Sequence, residues 1–488
     1  MTQSSVEPKT TAEDAGNGSR NPAGRSWLDR YFHISERGSS VATEIRGGVT
    51  TFMAMAYILL LNPLILSGKD VAGNVLSQPA LITATALCAA ATTLLMGFWG
   101  KVPLALAAGL SVSGVMASQV VPVMTWPQAM GMSVAYGAVI CLLVVTGLRE
   151  MIMNAIPLAL KHAITIGIGL FIAIIGFVKA GFVHENPAPG GGPVTLGPAG
   201  ELEGWPVLIF AFTLLLIFAL QARNIPGAIL IGIVAGTLVA VLLNAVADIP
   251  AKAWFSGPPE LDGSAVSAPD FSLIGDVSFT GWGDVGYITI TMIVFTLVLA
   301  GFFDAMATIL GVGTEAKLAD DKGRMPGLSK ALFIDGAGGI LGGAGGASGQ
   351  TVFVESATGV GEGARTGLAS VVTGGFFALC LFFTPLTAIV PQEVAAAALV
   401  VIGSMMMQNA KHVDWSDRSV AIPVFLTVVL MPFTYTITTG VAAGVISYAV
   451  IKSAQGKARE VGGFMWALTA VFVIYFAIHP IESWLGVG

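Results

Sequence analysis

The chain has 488 residues, 55% of them apolar and only 11% charged, with a formal net charge of −6 and a mean hydropathy of +0.81. Soluble domains carry about 25% charged residues, so this composition argues against a water-soluble protein and against a nucleic-acid partner, and it indicates a membrane protein. The cysteines, Cys88, Cys141 and Cys380, stand singly inside apolar runs, without redox or metal-site spacing.

Residues 1–26 are rich in Ser, Thr, Gly, Asn and charge and contain no apolar core, which predicts a disordered cytoplasmic tail instead of a cleaved leader. Apolar runs suited to crossing the hydrocarbon follow near 47–66, 79–98, 102–122, 129–147, 151–178, 205–221 and 225–247, seven in all. A hydrophilic connector over 248–284, holding much of the acidic excess, reads as a solvated extracellular loop. Seven more runs lie near 286–312, 328–343, 344–361, 366–390, 393–410, 418–435 and 437–453. A last apolar segment, 464–485, contains Pro480 and Glu482 and either crosses or lies in the interface.

If each run crosses once from a cytoplasmic N-terminus, only Lys69, Lys179 and Lys252 of the 23 Lys and Arg residues fall outside. Retained basic residues in short loops set orientation, and one miscounted crossing would scramble this split. The predicted fold is an all-α polytopic membrane protein of 14 spans. Its segments are a first repeat over 27–247, the connector, a second repeat over 285–453 and a C-terminal hydrophobic segment over 454–488.

An odd number of spans per half turns the second half upside down, the inverted repeat of many transporters. Weak internal similarity agrees with it. Ile156-Pro157 and Val390-Pro391 each open a run, with alanine at the sixth residue after the proline (Ala163, Ala397) and glycine at the twelfth (Gly169, Gly403). Ile225, Ile229 and Gly232 likewise parallel Ile437, Val441 and Gly444. The third and tenth runs contain AAGLSVSG at 107–114 and SGQTVFV at 348–354, where glycine and β-branched residues weaken a helix. Both are expected to be partly extended, and bare backbone at that depth is tolerated only when buried in protein or lining a cavity.

Three acids interrupt the second half. A carboxylate at bilayer depth costs at least ~2.5 kcal/mol, so each is a candidate functional group. Asp304 lies mid-run with Thr308 one turn later on the same face. Glu355 lies at the junction of an extended piece and a half-helix, and Asp335 suits either helix packing or proton transfer. Glycine fills eight of the fourteen positions from Gly336 to Gly349, read as backbone-to-backbone helix packing.

The stretches TEIRGGVTTFMAMAYILLLNP (43–63), FFDAMATILGV (302–312) and VESATGVGEGARTGL (354–368) resemble the nucleobase-cation symporter 2 superfamily, in its adenine, guanine and hypoxanthine permease branch. The similarity runs from about Trp27 to the C-terminus. It implies a seven-plus-seven inverted repeat with core and gate domains, short antiparallel strands in spans 3 and 10, and Asp304 and Glu355 facing the base. Ser113 and Gln350-Thr351-Val352-Phe353 depart from that family's asparagine and its tyrosine-ending strand, which bears on which heterocycle is carried.

Ionised carboxylates accept hydrogen bonds, protonated ones also donate, and half-helix amides donate, so these groups can satisfy a purine edge. The expected substrate-binding residues are Asp304, Glu355, Thr308, Gln350, Thr351, Phe353 and Ser113, and the expected proton-coupling residues are Asp304, Glu355 and Asp335. The expected function is proton-coupled purine import across the plasma membrane, with sodium the second choice of ion. No cofactor or metal is expected, and the resemblance would allow a homodimer through the gate domains. Two other classes compete. An anion transporter on the same fold would want positive charge at the half-helices. A serine hydrolase at Gly346-Ala347-Ser348-Gly349 would need a histidine at bilayer depth, whereas His33, His162, His184, His412 and His479 lie near or beyond segment ends.

Overall fold

The structure is a computed structural model that describes residues 26–148, 156–186, 192–197, 200–247, 249–254, 257–259, 264–316, 318 and 327–485. The expected N-terminal tail lies outside the described residues except at Ser26.

Every apolar run forms a helix, or a strand followed by a helix. After the short α1 (Trp27–Phe32) come α2 (Val41–Ile65) and α3 (Gln78–Gly100), then β1 (Leu106–Ala108) and α4 (Leu110–Val120). The first half continues with α5 (Trp126–Val145), α6 (Leu158–Lys179), β2 (Val183–Glu185), β3 (Val194–Leu196), α7 (Trp205–Ala222) and α8 (Ala228–Ala247). The second half holds α9 (Tyr287–Glu315), α10 (Leu328–Ala344), β4 (Gln350–Val352) and α11 (Ser356–Gly361). It ends with α12 (Gly367–Cys380), α13 (Gln392–His412), α14 (Arg418–Thr434), α15 (Ile437–Ala454) and α16 (Gly463–Leu485). Among the described residues, eight helices are long and apolar enough to cross a bilayer and five shorter apolar ones accompany them. The chain is a multi-pass helical membrane protein.

The extended pieces are shorter than the sequence suggests: helix begins at Leu110, directly after Gly109, so only Leu106–Ala108 pairs as strand in the third run. β1 and β4 run antiparallel, with Leu106 opposite Val352 and Ala108 opposite Gln350. A second small antiparallel pair, β2 with β3, lies between α6 and α7 and was not expected.

The helices pack as two groups. In one, α5 packs on α10, α12 on α3 and α2, α9 on α5 and α4, and α11 on α2. In the other, α6 packs on α13 and α14, α7 on α13 and α8, and α15 on α14. Exchanging the halves run for run carries α5–α10 onto α12–α3, α2–α12 onto α9–α5, α6–α14 onto α13–α7, and α7–α8 onto α14–α15. The matched glycines of the sequence meet at these contacts. A Cβ on Gly403 would lie 2.4 Å from the carbonyl oxygen of Gly169, while Gly232 faces Ile217 of α7 and Gly444 faces Thr427 of α14. In the glycine-rich stretch, a Cβ on Gly339 would stand 2.7 Å from the Cα of Gly137, so α10 and α5 touch through backbone as expected.

The run ends also sort by side. At one end, Arg37 donates to the carbonyls of Lys101 and Arg365, and Arg46 pairs with Glu362 at 2.9 Å. At the other end, the connector is pinned and not simply solvated: the amides of Asp270, Ser278 and Gly275 donate to Thr83 Oγ1, Pro127 O and Ala344 O. The beginnings of α3 and α5 and the end of α10 therefore share that side.

Asp70, in the loop after α2, accepts from the amides of Ala72 (2.9 Å), Asn74 (2.8 Å) and Trp126 (3.1 Å). Burial alone would raise its carboxyl, but these bonds and that of the Asn74 amide side chain outweigh it and hold it below the usual carboxylate range. A depressed carboxyl stabilises the fold above its unfolded pKa of about 4, and that contribution is lost as pH falls through the folded value. In detergent, Asp70→Asn is expected to melt below wild type at neutral pH and to lose this part of the acid dependence. Parallel pH curves for the two proteins would contradict the assignment.

Candidate functional site

The two strand–helix units meet where their backbones leave regular structure. Beyond the ladder, the amide of Gly109 donates to Gly349 O and that of Phe353 to Ala105 O, each at 2.9 Å. Neighbouring helices then fasten each strand at matching places. Thr93 of α3 binds both the amide and the carbonyl of Leu106, at 2.9 and 2.7 Å. Asp335 of α10 accepts from the amide of Val352, the residue opposite Leu106, at 3.3 Å.

A cavity of about 380 Å³ opens beside this junction. Its inner wall is formed by Tyr57, Leu110, Ser111, Thr308, Phe353 and Glu355, and its outer part by Gln408, Asn409, Lys411 and His412. Leu110 and Ser111 are the first residues of α4, so the amide-bearing end of that half-helix faces the cavity. Glu355 stands at the N-cap position of α11, and its carboxylate accepts a hydrogen bond from the Tyr57 hydroxyl. The rings of Tyr57 and Phe353 lie 6.5 Å apart. The site thus offers a carboxylate, hydroxyls, half-helix amides and flat apolar surface, the components that bind an uncharged aromatic heterocycle.

The expected residues divide. Thr308, Phe353 and Glu355 are brought together on the cavity wall. Asp304 lies in α9 one turn before Thr308, and its side chain falls outside the described residues. Ser113, Gln350 and Thr351 are buried beside the cavity and do not line it. Ser113 donates to Asn62 Oδ1 at 2.7 Å and meets Ser348 Oγ at 2.8 Å, while Asn62 donates to Thr85 and to Ala347 O. Gln350 donates to Ser348 O, and the Thr351 side chain packs against Gly109. Ser348 is therefore a member of a buried polar network with Ser113, not the partner of a histidine.

Asp335 is buried, fastens β4 and does not line the cavity. Asp335→Asn keeps an acceptor for the Val352 amide and is expected to retain uptake within about tenfold, whereas Asp335→Ala leaves that amide unpaired and costs about 1–3 kcal/mol. Equal loss in both variants would favour a titrating role for Asp335.

Tyr57 was not anticipated. It stands where α2 breaks, with Pro63 interrupting the hydrogen-bond ladder of the same helix. A tyrosine mid-span, five residues before Asn62-Pro63, was the available signal. A second cavity, about 610 Å³, is lined by Leu59, Pro63, Gln78, Thr384 and Gln392 among others; among the described residues its lining holds no carboxylate, and Lys179 donates to Ser67 on its wall at 2.8 Å.

Comparison with known proteins gives the family and the fold. The profile described as Permease family matches residues 42–443. The chain belongs to the Permease family. It is thus a transporter of the nucleobase-cation symporter 2 group and not an enzyme. It is 35% identical to adenine permease AdeP of Escherichia coli (strain K12) over 93% of this chain and 96% of that one. It is 36% identical to guanine/hypoxanthine permease PbuG of Bacillus subtilis (strain 168) over 92% and 99%. Its fold resembles the transmembrane domain of a cyanobacterial bicarbonate transporter, BicA, with a TM-score of 0.60 at 15% identity, covering 82% of this chain and 97% of that one.

Proposed function

We propose that this permease is a secondary active importer of purine nucleobases, adenine, guanine or hypoxanthine, coupled to protons. The observation that carries the reading is the cavity in which Glu355, Thr308, Phe353 and Tyr57 converge on the two strand–helix units. The purine choice is supported by the names of the relatives, and the proton by a carboxylate that faces the cavity and hydrogen-bonds a phenol. Asp304 and Glu355 are the coupling groups in this reading. One of them takes up a proton as the base binds, and the base edge then meets one carboxyl donor and several acceptors. Asp335 holds β4 in place.

The two packing groups are assigned as core and gate, with the core built from runs 1–4 and 8–11 and the gate from runs 5–7 and 12–14. An inverted repeat relating residues 27–247 to 285–453 is supported by the exchange of contacts between halves and by the antiparallel β1–β4 pair on its axis. In this scheme the core slides against the gate in the plasma membrane, with the N-terminus cytoplasmic, and carries the cavity from one side to the other.

The test is uptake of labelled bases in a strain without its own permeases, with purines, pyrimidines and xanthines as competitors. Purines are expected to compete, and a protonophore to abolish accumulation in the absence of sodium. Accumulation that survives the protonophore and requires sodium would overturn the coupling ion. Competition by pyrimidines alone would overturn the substrate.

A further inference from the structure

The cavity is longer in chemistry than a base requires. Its inner wall suits an uncharged ring, while its outer part ends in exposed Gln408, Lys411 and His412, with Asn409 beside them. His412 is stacked on His162 with ring centroids 5.1 Å apart, and His162 Nδ1 lies 3.3 Å from Asn409 Oδ1, so the rim is a built cluster and not a loose loop. Asp414 accepts from the amide and hydroxyl of Ser416 and Asp417 from those of Ser419, and neither is paired with Lys411 or His412. Among the described residues, no salt bridge engages Lys411 or His412.

A transported base leaves this cationic rim unused. The ligand that uses both ends carries a purine ring on one side and a multiply charged anion on the other. We infer that the cavity binds a purine nucleoside monophosphate from the cytoplasmic side, with the base at Glu355 and the phosphate at Lys411 and His412. Lysine is a common phosphate binder, and amide side chains such as Gln408 and Asn409 supply further donors. The volume of about 380 Å³ lies within the range of sites that enclose ligands of that size. The phosphate end is held by α13 of the gate group and the base end by Glu355 of the core, so a bound monophosphate ties the two groups together and stops the core from sliding. The nucleotide is therefore an inhibitor that holds the inward-open state and not a substrate. Attachment of a ribose phosphate to the imported base is the reaction class that makes such a ligand, so its accumulation would slow further import.

This inference rests on the purine reading and is tested by displacement of a labelled purine base from the purified full-length protein. AMP, GMP, adenosine, guanosine and inorganic phosphate serve as the competitors. The matching monophosphate is expected to displace base at about tenfold lower concentration than its nucleoside, the effect of one charge-assisted contact. Phosphate alone is expected to displace none. The ratio of nucleotide to nucleoside potency should fall to about one in the Lys411→Gln/His412→Gln double variant. A monophosphate no better than its nucleoside in the wild-type protein, an advantage that survives in the double variant, or displacement by phosphate alone would each overturn the inference. If no purine base binds at all, the substrate reading itself fails. If base binds without a nucleotide advantage, this inference alone fails.

Discussion

Glu355→Gln is expected to reach the membrane at wild-type levels and to accumulate labelled hypoxanthine, guanine or adenine about a hundredfold more slowly than wild type, the upper range for losing a charged hydrogen-bond partner. The substitution isolates charge. Glutamine has nearly the same shape, and its amide oxygen can still accept from the Tyr57 hydroxyl that binds Glu355 in the structure. Neighbouring packing therefore has no reason to change, but the side chain can no longer exchange a proton. Asp304→Asn is expected to behave alike, because both acids are assigned to the coupling step. The measurement is initial uptake normalised to surface protein, alongside exchange of labelled for unlabelled base. Wild-type accumulation by either variant would remove that residue from the site.

Gly349→Ala is expected to lower both thermal stability and uptake. An added Cβ would lie 1.5 Å from Tyr136 Oη and 2.4 Å from its Cζ, and Tyr136 is only 1% exposed within α5. Neither side can yield cheaply. Gly349 leads directly into β4, so displacement of its backbone is passed to Phe353 and Glu355 on the cavity wall. Overpacking of this kind costs about 1–3 kcal/mol, or more where backbone must move. The clash has a named partner, so the double variant Gly349→Ala/Tyr136→Leu should be more stable and more active than the sum of the single losses predicts. A coupling of at least about 0.5 kcal/mol in a double-mutant cycle of detergent-solubilised protein is expected. Strict additivity would mean that Tyr136 does not set the position of this strand.

Much of this architecture was readable from local rules. Apolar length places the runs, and Arg37, Arg46, Lys101 and Arg365, sorted to one side from the sequence, do share one end. Glycine and β-branched residues mark where β1 and β4 replace helix. The repeat matches point to contacts, since Gly169 and Gly403 turn out to face one another.

What escaped the sequence depends on contacts across long separations or on the facing of very short strands. Tyr57 and Glu355 lie 298 residues apart, and nothing near Tyr57 indicates a carboxylate partner. Three-residue strands give too little alternation to assign faces, which is why Gln350 and Thr351 looked like wall residues while Phe353 is one. Asp335 reads as a lone intramembrane acid until Val352 is placed against it. The rim at Gln408 to His412 lies at the end of the run over 393–410, where a segment end by itself gives no sign of a cavity.

The central claim is that the base is bound at the Glu355 cavity. It is tested most directly by an experimental structure of the protein soaked with a purine that the uptake panel identifies. The base is predicted between Phe353 and Thr308 with a ring edge within hydrogen-bond distance of Glu355. A base seated instead in the cavity beside Gln78 and Gln392, with the Glu355 cavity holding only solvent, would contradict the account.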